Sequence, residues 1–313
     1  IHPRDAEGDG TRVLDNVAIE DVVHAIDWNP FFQVWQLRGR YPNRGYPKIF
    51  NDEKVGAEAK KLFDDAQRML AEIIEKKLLQ LRGIVGIYPA NSCGDDIVVY
   101  ENEDRTSRRC TFYTIRQQAE KDTQDPYYAL SDFVASEESG VDDYIGMFVC
   151  SAGFGLDELT AKYKAENDDY SYIMAEAIGD RLAEALAEVV HEKTRKEYWA
   201  YSPDECLSPE DMLKVKYQGI RPAPGYPSQP DHTEKLTMWE LMQVEDEIGV
   251  ELTENLAMLP AASVSGLYFA SKASQYFSVG KIGKDQVEDY AARKGWDLDK
   301  AEKWLATLLN YDA

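Results

Sequence analysis

The 313-residue sequence holds no apolar run near the roughly 20 residues that a membrane-spanning helix requires. Its first residues show no basic stretch leading into an apolar one, so no secretory signal is expected. Positive charge is scarce: 35 Lys and Arg stand against 57 Asp and Glu, a net charge of −22. That balance argues against DNA, RNA and anionic membrane surfaces, which are all bound through basic footprints. Cysteine is limited to Cys93, Cys110, Cys150 and Cys206, without a C-x-x-C pair, which argues against zinc. Dispersed cysteines in an acidic chain fit the cytosol, each as a small buried hydrophobe. His2, His24, His191 and His232 are too scattered for a metal cluster. There is no P-loop and no G-x-S-x-G elbow, and H-E-K-T-R at His191 lacks the second histidine of a zincin helix. G-F-G at Gly153 starts like a dinucleotide fingerprint, but Glu158 stands where the third glycine belongs. No nucleophile–base pair is evident, so no catalytic residue is assigned.

What is present supports a sizeable core, with 44% hydrophobic residues. The opening at Ile1 reads as a segment of a longer chain, with residues 1–12 as a polar tail or linker. Residues 13–82 read as mainly helical. A helix is expected after D-W-N-P, with Asp27 or Asn29 as its cap, followed by a loop over Y-P-N-R-G-Y-P. Three- and four-residue spacing of Val55, Ala59, Leu62, Ala66, Leu70 and Ile73 predicts a helix over 53–81, ended by Gly83. β-branched and aromatic runs then predict strands over 84–87, 97–100, 110–115, 128–134 and 144–150. Their short connections point to antiparallel pairing. Helices are expected over 156–164, 169–198, 208–217 and 234–248, strands over 251–257, 264–270 and 276–281, and closing helices over 284–294 and 299–309. The fold class is therefore α+β.

Two stretches hold candidate chemistry. Q-G-I-R-P-A-P-G-Y-P-S-Q-P-D-H-T-E-K, residues 218–235, carries four prolines and two glycines between helices. Each proline fixes φ, removes a donor and pushes its predecessor toward extended backbone. By composition this is a rigid linker with carbonyls lacking local partners. An arginine on such a frame also suits a carboxylate or phosphate. The second stretch is the line Glu176, Asp180, Glu184 and Glu188 along one helix face. A wet face explains such a line; a site for a cation beside Asp180 and Glu184 is the alternative.

The Pro-rich stretch, with H-T-E-K after it, resembles the C-terminal activation domain of cobalamin-dependent methionine synthase. The likeness continues in D-W-N-P-F-F, R-G-I-V-G-I-Y-P-A-N-S, R-Q-Q-A-E-K, D-D-Y-S-Y-I-M, G-D-R-L-A-E-A-L-A-E, L-T-E-N-L-A-M, S-V-S-G-L-Y-F and D-Q-V-E-D-Y-A-A-R-K-G. It covers the chain from residue 13 to 313 and leaves out only the polar tail. So many strings in one order are highly specific.

The resemblance implies a C-shaped α+β domain with a twisted antiparallel sheet flanked by helices. It implies binding of S-adenosylmethionine and presentation of its methyl group when cobalamin has been oxidised to cob(II)alamin, restoring methylcobalamin in the methyltransferase that makes methionine from homocysteine. The implied partners are the cobalamin-binding module of the same chain and a flavodoxin-like or diflavin reductase. Docking of those two partners is the alternative primary role. Position by position, Asp27 matches the acidic residue at the methionine end of the ligand, and Arg221 the arginine that takes its carboxylate. Ala223 matches a backbone contact, Tyr226 the tyrosine beside the ligand, and Tyr276 and Phe277 an aromatic pair. Asp180 and Glu184 match an acidic pair at the mouth of the site. The D-x-H-x-x-G string of the family's cobalamin module and its zinc cysteines are missing, so cobalamin and zinc are expected only on other modules.

Overall fold

The structure, a computed structural model, describes residues 10–37 and 45–312. The tail over 1–9 and most of the loop over 41–47 lie outside them. A six-stranded sheet organises the rest. β2 (Gln80–Cys93) and β5 (Asp143–Phe154) run antiparallel along their length, from Gln80 opposite Phe154 to Ala90 opposite Asp143. The other edge of β2 is shared by β1 (Thr11–Val17) and β3 (Asp96–Tyr100). β4 (Arg108–Tyr113) extends β3, and β6 (Ser263–Tyr268) pairs with β5. All these pairings are antiparallel.

Both faces of β2 and β5 are covered, so these strands read as near-continuous apolar runs rather than as alternation. Val85, Phe148 and Cys150 face a core shared with α2 (Gly56–Lys76), α3 (Leu156–Ala165) and α4 (Asp169–Lys193). Ile84, Met147 and Val149 face a second core under α6 (Glu234–Met242) and α7 (Val244–Ile248). α8 (Lys284–Lys294) and α9 (Leu298–Trp304) enclose a third, smaller core.

Several boundaries differ from the sequence reading, each for a local reason. Thr11–Val17 is a strand, because its backbone completes the free edge of β2. The long helix stops at Lys76: Lys77 is left-handed at φ 51, and Leu79 and Leu81 are buried at strand spacing. Gly83 therefore lies inside β2, between Leu14 and Cys150, and caps nothing. The aromatic run over 128–134 contains a 3-10 turn, Leu130–Phe133, because the Asp132 carboxylate accepts from the Ala129 amide. Gln243, at φ 51, divides the helix expected over 234–248 into α6 and α7. The strand over 251–257 shrinks to a two-residue pairing of Glu251–Leu252 with Met258–Leu259. Residues 276–281 form no strand; they run along the Pro-rich segment, with the Val279 amide donating to Pro227 O. The short helix α1 (Asn29–Val34) falls where expected, while α5 (Pro209–Leu213), capped by Ser208, fills only the first half of the helix expected over 208–217, because Val215 turns left-handed at φ 55. At α1 the Asp27 carboxylate accepts from the Asn29 amide.

A buried ion cluster fastens α8 to the segment that leads into α6. Lys294 Nζ donates to Asp231 Oδ2 at 2.8 Å, Glu234 Oε1 at 2.6 Å and Thr233 Oγ1 at 2.7 Å. Tyr290 Oη donates to Asp231, and the Tyr113 amide to Glu234. The two carboxylate side chains are 1% exposed and the lysine 7%, so losing the cation strands two buried acids. Removing one member of such a group costs about 3–5 kcal/mol. Lys294→Met is expected to lower unfolding free energy by that amount in urea titrations; a loss below about 1 kcal/mol would show the cluster to be dispensable.

Candidate functional site

The Pro-rich stretch is pinned to the sheet edge rather than hanging between helices. Ile220 and Phe269 exchange backbone hydrogen bonds, and Leu267 donates to Pro222 O. Tyr226 donates to Ala223 O, and Gln229 to Tyr226 O. Several carbonyls expected to lack partners are therefore taken. Among the described residues no hydrogen bond ends on the carbonyls of Arg221 or Pro224. Gly225 sits at φ +91, where a Cβ would meet the His232 ring at 2.2 Å, so the turn admits glycine alone.

This segment forms one wall of a groove of about 670 Å³, a volume suited to a nucleotide-sized ligand. Arg221, Ala223 and Tyr226 line it, with Tyr276 and Phe277 beside them. His232 and Lys235 continue that wall, residues 255–258 lie across from it, and Phe148, Ser263 and Ser265 come from the sheet. Glu184 reaches it from α4. Six of the eight candidate residues are thus gathered at one groove. Asp180 is exposed on α4 outside the lining, and Asp27 does not line the groove either. The Asp27 carboxylate holds Asn29 through its amide and Nδ2, while its neighbour Ile26 shares a small cavity with Glu188. The residues just before D-W-N-P thus lie beside Glu188, the partner of Arg221.

Arg221 is the most constrained side chain here. Its amide donates to Tyr276 Oη at 2.9 Å, so Tyr276 braces the backbone as well as lining the groove. Nη2 donates to Glu188 Oε2 at 2.6 Å. Nη1 donates to Tyr217 Oη at 3.1 Å and lies 3.0 Å from His191 Nδ1. Burial opposes the charge on Arg221, but Glu188 and Tyr217 outweigh it and hold the guanidinium charged. A guanidinium has five N–H donors. Among the described residues three are engaged; Nε–H and one Nη2–H remain, and these nitrogens form a single edge. Arg195 uses the same edge to grip Glu205, through Nε at 2.9 Å and Nη2 at 2.6 Å. An edge of this kind takes both oxygens of a carboxylate in parallel.

Glu188, His191 and Tyr217 escaped the sequence reading. Glu188 was expected on a wet face with its three companions, but it is 7% exposed and paired with Arg221, 33 positions away. Its spacing carried no sign of that partner. His191 is completely buried, stacked on Tyr268 at 4.7 Å and edge-on to Tyr217. Burial, reinforced by Arg221 and Arg195, holds its pKa well below the usual value.

The comparisons with known proteins agree with this geometry. Residues 18–295 match the model of the vitamin B12 dependent methionine synthase activation domain, and the chain belongs to that family. It is a domain of a cobalamin-dependent methyltransferase. A solved structure described as the MetH reactivation domain bound to AdoHcy is similar over 100% of this chain and 94% of that one, at 49% identity and a TM-score of 0.94. The mixed α and β architecture, a mostly antiparallel sheet flanked by helices, is the fold of that domain. Among the described residues no helix is long and apolar enough to cross a membrane.

The neutral state of His191 has a consequence for stability. An unfolded histidine titrates near pH 6.5. Below that pH the unfolded chain binds a proton that the native state refuses, so stability is full above about 6.5 and falls as pH drops. The urea midpoint is expected to fall between pH 7.5 and 5.5, and less so in His191→Phe; an equal fall in both proteins would remove His191 as a cause.

Proposed function

We propose that the groove binds S-adenosylmethionine and presents its methyl group to a cobalamin carried by a neighbouring module, returning inactive cob(II)alamin to methylcobalamin. The observation that carries this reading is the unspent edge of Arg221 at a groove of nucleotide size. The edge suits the ligand's carboxylate, and charged hydrogen bonds of that kind contribute on the order of 1.5–3 kcal/mol each. Tyr226, Tyr276 and Phe277 offer aromatic faces to a sulfonium and an adenine. The carbonyls of Arg221 and Pro224 supply acceptors, and the Ala223 amide supplies a donor. Glu184 places a carboxylate at the groove for the ligand's positive charge. Asp27 is assigned to the ammonium end, which requires the ligand to extend past Arg221 toward the Glu188 side. Asp180 belongs to the outer border. The relative bound to AdoHcy, a ligand with the same amino-acid tail, supports the choice.

The sulfonium supplies an activated methyl group and a good leaving group, so the chain needs no general base. Its residues bind, orient and hold the donor. The isolated domain would then bind without turning over, because the methyl acceptor sits on another module. Calorimetric titration with S-adenosylmethionine tests this reading. Saturable binding is expected in the wild type and a loss of at least ~30-fold in Arg221→Ala, roughly 2 kcal/mol or more. Unchanged affinity in a variant that melts normally would take Arg221 out of the site.

A second role, docking of the cobalamin module over the groove, is favoured by exposed side chains of its lining and of residues next to that lining in sequence. Tyr226 is 66% exposed, Leu236 51%, Tyr276 48% and Leu259 47%. Exposed apolar side chains gathered around one opening mark interaction surfaces. Leu236→Ser with Leu259→Ser should weaken co-elution with the cobalamin-binding module and leave the ligand titration intact. Unaltered co-elution would move docking elsewhere. Electron delivery is assigned to a flavodoxin-like or diflavin reductase partner.

A further inference from the structure

We propose that Glu188, His191 and Tyr217 are positioning residues that turn the guanidinium of Arg221 so that its free edge faces the groove. Through them the site reads the carboxylate of its ligand. The proposal rests on the binding reading above and adds the device that makes it selective.

An arginine side chain has many rotamers, and a buried countercharge alone would hold the head without fixing its roll. Two further contacts fix it. Nη1 is held by Tyr217 Oη at 3.1 Å and His191 Nδ1 at 3.0 Å, while Nη2 is held by Glu188 at 2.6 Å. With both terminal nitrogens held, the plane is set, and Nε–H and one Nη2–H leave together.

His191 shows the design most plainly. Arginine only donates, so Nδ1 must accept and the ring proton must sit on Nε2. Nε2 is buried without a partner among the described residues, an unfavourable arrangement that packing alone would not select. A leucine or phenylalanine would fill the space between Tyr217 and Tyr268. An acceptor aimed at Arg221 is what histidine adds. Glu188 likewise spends one oxygen on Arg221 and leaves Oε1 buried and, among the described residues, unpaired. Two unsatisfied atoms flanking one well-held guanidinium mark the arginine as the group being served.

The test compares S-adenosylmethionine with its decarboxylated form, which keeps the sulfonium, the adenosine and the amine. Both are titrated into wild type, His191→Phe, Tyr217→Phe and Arg221→Ala. Wild type is expected to prefer the carboxylated ligand by tenfold or more. His191→Phe, which keeps a flat ring between its neighbours, should lose about tenfold for that ligand and less than twofold for the decarboxylated one. Tyr217→Phe, which removes one hydroxyl, should shift the same way by about threefold. If His191→Phe does not fold, Tyr217→Phe decides. Equal weakening for both ligands would assign these residues to packing alone and overturn the proposal, as would no change for either. If the wild type binds neither ligand, the binding reading falls first and this one with it. If it binds both equally, Arg221 binds without reading the carboxylate.

Discussion

A single charge, on Arg221, sets much of the arrangement around the groove. Its guanidinium lies beneath the surface, and charge so placed is tolerated only with close counter-groups. α4 supplies them as Glu188 and His191, and the turn before the Pro-rich stretch supplies Tyr217. The backbone that carries Arg221 is fixed from three sides: by Phe269 against Ile220, by Leu267 against Pro222, and by the Tyr276 hydroxyl against Arg221 itself. Prolines here do two things. They remove amides that would otherwise need partners, and they hold the chain in an extended path that the sheet edge can accept. The groove wall is therefore nearly rigid before any ligand arrives, and less ordering cost falls on binding.

The opposite end of the segment is fastened by a different device. His232 and Lys235 line the groove, and between them Thr233 and Glu234 turn inward to Lys294. The outer residues of H-T-E-K thus serve the site and the inner pair the fold. α8 and α9 lie far from Arg221 in sequence, yet through Lys294 they set where the His232 side of the wall stands. Lys235 adds a contact to the facing loop, donating to Leu256 O at 2.8 Å. The groove is bounded by charge-anchored backbone at both ends and by apolar sheet residues at its base.

The sequence was legible where local chemistry and long-range packing agree. The stripe through Ala59, Leu62, Ala66, Leu70 and Ile73 is helical because the same spacing is buried against the sheet. Arg221, Ala223, Tyr226, Tyr276 and Phe277 were placed by a family likeness and do share one groove. Strand length and helix ends were less legible. Residues 128–134 have strand composition, but Asp132 draws the Ala129 amide into a turn, and Arg116 fastens that carboxylate from elsewhere. Residues 276–281 also have strand composition, but the edge they meet is an irregular proline turn, so no ladder can form. β1 was hidden for the converse reason: its polar residues form a strand only because β2 offers an open edge.

The acidic line on α4 shows the limit of pattern reasoning most directly. Glu176, Asp180, Glu184 and Glu188 are equivalent by spacing, and like charges at that spacing are stable only when solvated or paired. The structure separates them by what lies opposite each turn. Asp180 and Glu184 are exposed, Glu184 at the groove, while Glu188 is buried under Arg221. A helical period specifies that residues share a face; it does not specify that one turn of that face meets solvent and the next a guanidinium from another part of the chain. That distinction belongs to tertiary structure. It also explains why the three residues that hold Arg221 carry no motif of their own: each is ordinary in its local sequence, and their chemistry exists only in the presence of the cation they surround.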